Sequence, residues 1–115
     1  MSDMRRIIDI TQEQIDRYGR INGDNDIIHY DHAYALGRGF RGTLAHGLHM
    51  AAFAADLAAK RLGRDWFYKG HLHAKLIGPV CPGDHLVVDL REDGAVEERV
   101  GQDLVVVGRA ELTRD

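Results

Sequence analysis

The alternation of apolar and polar residues divides the first part of the chain into one strand and two helices. Arg5–Ile10 is a short β-branched run, typical of a strand. Thr11 and Gln14 then form a capping-box pattern, and apolar residues follow at helical spacing, which predicts a helix ending near Gly23. Asp31 is placed to cap a second, short helix that the next glycines stop.

The longest predicted helix, Ala45–Leu62, is rich in alanine. Its polar residues form one narrow stripe, made of His46, His49, Asp56 and Lys60. A helix that is apolar over most of its surface is mostly buried, and 18 residues correspond to a length of roughly 27 Å. We therefore expect a sheet to wrap around this helix.

After Gly63 the pattern changes to strands. The predicted strands are Gly70–Ile77, His85–Arg91, Ala95–Val100 and Leu104–Leu112. Pro82-Gly83 suits the centre of a type II turn before the second of them. One long helix followed by consecutive strands predicts an α+β fold with an antiparallel sheet, in a single domain over residues 1–115.

Composition and charge exclude several classes of protein. A chain that is 44% hydrophobic and 29% charged has the balance of an ordinary globular domain. Its formal net charge of −3 argues against nucleic-acid binding, which selects basic surfaces. No apolar run is long enough to span a membrane, and the lone Cys81 permits no internal disulfide, so a cytoplasmic protein is expected.

The stretch NGDNDIIHYDH, residues 22–32, contains the first candidate chemistry. Asp24 and His29 flank Ile27-Ile28, so burial of the isoleucines would bring the acid and the imidazole to the rim of an apolar cavity. Such surroundings raise the pKa of a carboxyl group and suit general acid–base catalysis. The alternative is that Asp24 caps a turn and His29 is a loop histidine, and spacing alone favours that alternative.

Gly47 lies in the first turn of the long predicted helix, where backbone N–H groups have no intrahelical partner. Without a side chain, this residue lets a substrate carbonyl approach its N–H group, as an oxyanion hole requires. Close packing of helix against sheet is the alternative, and residue type alone does not exclude it.

Other patterns give weaker signals. The seven histidines include no HExxH motif or cysteine pair, so no metal site is expected. GRGFRG matches G-x-G-x-x-G, but without a βαβ unit around it a glycine-rich loop is the better interpretation. Arg38 and Arg41 are weak candidates for binding the phosphates of coenzyme A or a phosphopantetheine carrier.

Taken together, the motifs resemble the MaoC-like dehydratase family, which includes the R-specific enoyl-CoA hydratases. The hydratase motif runs approximately S/T-G-D-x-N-P-L-H-x-D, and this chain has NGDNDIIHYDH, then Ala35, Phe40 and the helix start TLAHGL. GHLHAKLIGPVCPGDHLVVDL and VGQDLVVVGRAEL are similar to later family segments. The resemblance covers about residues 10–113.

The resemblance implies a hot-dog fold, an antiparallel sheet curled around a central helix, in a homodimer or higher homo-oligomer. It implies hydration of a 2-enoyl thioester of coenzyme A or an acyl carrier to an R-3-hydroxyacyl thioester. Asp24 and His29 would be the catalytic dyad, the Gly47 N–H the oxyanion hole, and no metal or cofactor would be used. The expected substrate-binding residues are Ile28, Phe40, His46 and His49.

The chain departs from the family at Asp26-Ile27, which replace Asn-Pro, and a second buried carboxylate there would raise the pKa of Asp24. Two other functions stay open. A hot-dog thioesterase would need a carboxylate on the central helix. The acid on this helix, Asp56, lies nine residues beyond Gly47, about 13 Å along the axis, which is too far to act on a carbonyl held at Gly47. A non-catalytic, acyl-thioester-binding subunit would be expected to lose one member of the dyad, whereas this chain retains both.

Overall fold

The computed structural model describes residues 2–113, in which one five-stranded sheet packs against the longest helix. The strands are β1 (Met4–Asp9), β2 (Gly70–Leu76), β3 (His85–Leu90), β4 (Ala95–Val100) and β5 (Asp103–Leu112). The helices are α1 (Gln12–Asn22), α2 (His32–Gly37), α3 (Gly47–Leu62) and α4 (Arg64–Lys69), and a 3-10 turn covers Ile27–His29. Within residues 2–113, no helix combines the length and the apolar character needed to cross a bilayer.

The sheet has the strand order β1-β3-β4-β5-β2, and every neighbouring pair is antiparallel. Helix α3 lies on one face and buries Met50, Ala54, Leu57 and Ala58. The small alanine side chains allow the helix to approach the sheet, whose inward residues on β3, β4 and β5 complete the core. The predicted α+β fold, with an antiparallel sheet against a long helix, is therefore confirmed.

The structure confirms the predicted N-caps of helices α1 and α2. The Thr11 side chain accepts from the Gln14 N–H while the Gln14 side chain accepts from the Thr11 N–H, so the capping box is present. The Asp31 side chain accepts from the Tyr34 N–H and caps α2.

The segment after Gly63 is where the predicted pattern was wrong. Gly63, with a φ of 60°, ends α3 and directly precedes α4, a helix that was not predicted. Trp66 packs against the core and holds this extra helix in place. The single polar stripe on α3 also needs correction, because His46 precedes the helix and is buried, whereas the apolar Leu48 is 70% exposed.

Candidate active site

Two consecutive turns after α1 bring Asp24 and His29 together. Gly23 ends α1 in the left-handed region, with a φ of 84°, and reverses the chain. The Asp26 carboxylate then accepts from the Ile28 N–H at 3.1 Å and caps the 3-10 turn that carries His29. As a result, Asp24 Oδ2 lies 3.4 Å from His29 Nε2.

The tautomer of His29 follows from its hydrogen bond to the backbone. Its Nδ1 lies 2.7 Å from the carbonyl oxygen of Leu44, and because a carbonyl only accepts, Nδ1 carries the hydrogen. Nε2 of the neutral ring is then unprotonated, and its lone pair faces the Asp24 carboxylate. The imidazole is thus held in the form that accepts a proton at Nε2.

The electrostatic state of Asp24 differs from the prediction of a raised pKa. Its Oδ1 accepts from the Asp26 N–H at 3.0 Å, and this bond lowers the pKa of Asp24 against a smaller opposing effect of burial. The expected apolar enclosure is incomplete, because Ile27 is 49% exposed. Asp26 is exposed, and its carboxylate is bonded to the Ile28 N–H. The expected raising of the Asp24 pKa by a second buried carboxylate therefore does not occur.

His46 is a buried residue that packs against the His29 ring. It is only 4% exposed, and its ring stacks on that of His29 with centroids 3.9 Å apart. The Tyr30 hydroxyl donates to the Asp24 carbonyl oxygen, so its oxygen is left to accept from His46 Nε2 at 3.2 Å. Burial and the neighbouring His29 lower the pKa of His46, which keeps the ring neutral.

Tyr30 is the residue of this group that was not predicted from the sequence. Its position beside His29 in the motif was the available signal, but the pattern does not reveal that its hydroxyl links Asp24 to His46. Gly19 of α1 makes room for this ring, since a Cβ at Gly19 would lie 1.9 Å from the Tyr30 hydroxyl oxygen.

Gly47 is the first residue of α3, so its N–H has no partner within the helix. The space beside it is filled by the Leu76 side chain, since a Cβ at Gly47 would lie 2.1 Å from Leu76 Cδ1. Gly47, Met50, Leu76 and Val106 are among the residues that line a cavity of 130 Å³ at this point. The oxyanion-hole role of Gly47 stays a prediction.

His49 faces a second cavity on the other side of α3. Its ring stacks on Tyr18 at a centroid distance of 4.4 Å, and burial lowers its pKa. His49, Tyr18 and Phe53 form the aromatic part of a 470 Å³ cavity between α1, β1 and α3. Tyr18 thus contacts both histidines, because its ring centroid also lies 5.0 Å from that of His46.

The remaining predicted binding residues are more dispersed. Ile28 is half-buried in the 3-10 turn, and Phe40 is half-buried after α2, with its N–H bonded to the Ala35 carbonyl. Arg38 lies over the Tyr34 ring. The guanidinium of Arg41 makes two 2.9 Å bonds to the Asp84 carboxylate, which engages the charge expected to bind phosphate.

A metal ion fits this cluster poorly, although Asp24, His29 and His46 each place one possible ligand atom within 4.8 Å of the others. The His29 and His46 ring planes are only 21° apart at a 3.9 Å separation, so they intersect far beyond bonding distance. A metal must lie close to the plane of each imidazole that binds it through its nitrogen lone pair. The arrangement is suited to proton transfer rather than to chelation.

Comparison with known proteins identifies both the fold and the family. An (R)-hydratase from A. caviae matches with a TM-score of 0.78 and 20% identity, over 96% of this chain and 94% of that one. The R-hydratase PhaJ1 from Pseudomonas aeruginosa gives a TM-score of 0.75 and 22% identity, over 96% and 77% of the two chains. A chain of the ChsH1-ChsH2 complex from Mycobacterium tuberculosis matches with a TM-score of 0.80 and 15% identity, over 97% of this chain and 94% of that one.

These similarities confirm the expected hot-dog fold. A search of curated protein sequences found no significant match. The family model described as the MaoC like domain, however, matches residues 2–114, and this protein therefore belongs to the MaoC-like domain family.

Proposed function

We propose that this protein is a hydro-lyase that reversibly hydrates a 2-enoyl thioester, carried by coenzyme A or an acyl carrier, to an R-3-hydroxyacyl thioester. The observation that carries the proposal is the facing of two proton acceptors, Asp24 Oδ2 and His29 Nε2, across 3.4 Å. When the His29 ring is neutral its hydrogen is on Nδ1, so neither Nε2 nor the ionised Asp24 carboxylate has a hydrogen to donate to the other. A water molecule that donates one hydrogen to each satisfies both groups.

The same arrangement supplies a balanced proton path. His29 Nε2 takes a proton from the water as its oxygen bonds to C3 of the enoyl group. That proton passes to the Asp24 carboxylate across the 3.4 Å gap, and Asp24 delivers it to C2. Both residues end in their starting states, so the reaction needs no further proton donor and runs equally in the direction of dehydration.

Gly47 provides for the charge that develops during the addition. When water attacks C3, electrons move to the thioester oxygen, and the Gly47 N–H at the start of α3 stabilises that oxygen, helped by the helix dipole. The exposed Leu76 side chain packs beside Gly47, so it would border a thioester bound at this N–H.

The surroundings of Asp56 support hydration over thioester hydrolysis. Asp56 is bonded to Lys60 Nζ at 2.9 Å and to Arg6 at 3.3 Å, so this helix acid is engaged in surface ion pairs.

A homodimer is also part of the proposal. It is supported by β2, an edge strand that ends in the exposed Leu76 and continues into the exposed Ile77.

The test is a panel of 2-enoyl-CoA and enoyl-carrier thioesters, with loss of the conjugated-enoyl absorbance as the readout. We expect turnover that falls roughly 10²–10⁴-fold in His29→Ala, the usual scale for a general acid or base. His85→Ala is the control, because His85 is an exposed histidine at the start of β3, away from the dyad. Release of free thiol without loss of the double bond would instead indicate a thioesterase, and absence of any turnover would contradict the proposal.

A further inference from the structure

Glu98 is a carboxyl group in the core that the proposed reaction does not use. It lies on β4 with 0% exposure, and neither side-chain oxygen has a hydrogen-bond partner among residues 2–113. Burial raises its pKa to about 8, so the group is a neutral carboxylic acid at pH 7. Buried polar groups are nearly always satisfied, so one that lacks a partner calls for an explanation.

The sheet register shows where this acid points. Directly paired residues of an antiparallel sheet share a face, and one such row runs Leu76, Val106, Glu98, Val88, Arg6 across the five strands. Val88 and Val106, on either side of Glu98, are 0% and 1% exposed. Glu98 therefore points into the space between the sheet and α3, at the centre of the row.

Helix α3 covers both ends of this row. Its first residue, Gly47, contacts Leu76 at one end, and the Arg6 guanidinium lies 5.2 Å from the Phe53 ring at the other. Met50, halfway between Gly47 and Phe53 along the helix, is 2% exposed and lines the 130 Å³ cavity. The first two turns of α3 thus pass over the row that contains Glu98.

One wall of the cavity beside Gly47 is formed by a direct neighbour of Glu98 in the sheet. Val106 lines that cavity and is the direct cross-strand neighbour of Glu98. Two strand spacings separate Glu98 from Leu76, which places the acid about 10 Å inward from the edge of the sheet. An acyl chain whose thioester lies at Gly47 reaches this depth if the flexible Met50 side chain changes rotamer.

We propose that Glu98 is a specificity-determining residue that binds an oxygen atom, a hydroxyl or a ketone, on the acyl chain of the substrate. This inference rests on the proposed hydratase function and narrows its substrate class to enoyl thioesters with an oxygenated tail. A neutral carboxylic acid both donates and accepts, so it satisfies either group. A purely alkyl tail leaves the acid unpaired, and a site built for a hydrogen bond discriminates against a ligand that lacks it.

The test compares two 2-enoyl-CoA substrates of equal length, one with an alkyl tail and one with a hydroxyl group near its distal end. The ratio of their kcat/KM values is measured for the wild type, Glu98→Met and Glu98→Gln. We expect the wild type to prefer the hydroxylated substrate by about 10- to 100-fold, the range set by an unsatisfied buried polar group. Glu98→Met should lose this preference, and Glu98→Gln should keep most of it because an amide also donates and accepts.

Calorimetric Kd values for the corresponding saturated acyl-CoA pair separate this inference from the proposed function. A binding preference that disappears in Glu98→Met supports the role of Glu98 even if no enoyl substrate is hydrated, and in that case only the hydratase proposal fails. Equal ratios in all three proteins, in turnover or in binding, would overturn the assignment of Glu98. Circular dichroism of both variants confirms that they are folded.

Discussion

Replacing Glu98 by glutamine removes one titrating group from the core while preserving its size. The pKa of Glu98 rises from its usual 4.5 to about 8 in the folded protein. The difference of about 3.5 units, at 1.36 kcal/mol per unit, corresponds to about 5 kcal/mol of free energy of unfolding. This is a large fraction of the total stability of a typical domain, about 5–15 kcal/mol.

The sign of the effect follows from where each state loses its proton. The unfolded chain releases the Glu98 proton near pH 4.5, whereas the native protein holds it up to about pH 8. The native state therefore binds more protons between these values, and this contribution to stability falls as pH rises through that range. The glutamine in Glu98→Gln does not titrate, so its stability does not fall in this way. The free energy of unfolding of Glu98→Gln, relative to that of the wild type, therefore rises by about 3–4 kcal/mol between pH 5 and pH 8.

Urea unfolding at several pH values between 5 and 8 measures this difference directly. Other titrating groups, including His46 and His49 with their lowered pKa values, are present in both proteins and cancel in the comparison. A stability difference between wild type and Glu98→Gln that does not change with pH would refute the conclusion that Glu98 is buried and neutral.

Three further predictions concern the support of the dyad. In Gly19→Ala the new methyl group displaces Tyr30, so activity on the enoyl thioester falls by up to about 100-fold, whereas Gly37→Ala, with no atom within 4 Å of its Cβ position, keeps full activity. Tyr30→Phe removes the hydroxyl that links the Asp24 carbonyl to His46, and kcat falls about 10-fold in the same assay. Asp26→Ala removes the cap of the 3-10 turn and lowers the free energy of unfolding by about 1 kcal/mol in urea. Wild-type behaviour in any of these variants would contradict the role given to that residue.

The parts of the fold that were predicted correctly depend on residues close together in sequence. The capping box of Thr11 and Gln14 and the N-cap at Asp31 are local interactions, so their patterns were sufficient. Helix α4 was missed because its stability comes from the contact of Trp66 with the core, which no local pattern encodes. The buried Glu98 was missed for a related reason, since a charged residue in a strand is ordinarily assigned to the solvent face.

The candidate site shows the same division between motif and environment. The spacing of Asp24 and His29 and the family resemblance pointed to two groups that the structure places 3.4 Å apart. The direction of the Asp24 pKa shift was predicted wrongly, because it depends on the Asp26 N–H and on the exposure of Ile27. Both depend on the conformation of the 3-10 turn, which the sequence pattern did not indicate.

The most direct test of the central claim compares kcat/KM for an enoyl thioester between Asp24→Asn and Asp26→Asn. The two aspartates are two residues apart, but only Asp24 faces His29, whereas Asp26 caps the turn. The proposed mechanism predicts a loss of roughly 10²–10⁴-fold in Asp24→Asn, and a value close to wild type in Asp26→Asn, whose amide oxygen still accepts from Ile28. Equal activity of the two variants, whether both active or both inactive, would contradict the assignment of Asp24 as the acid of the dyad.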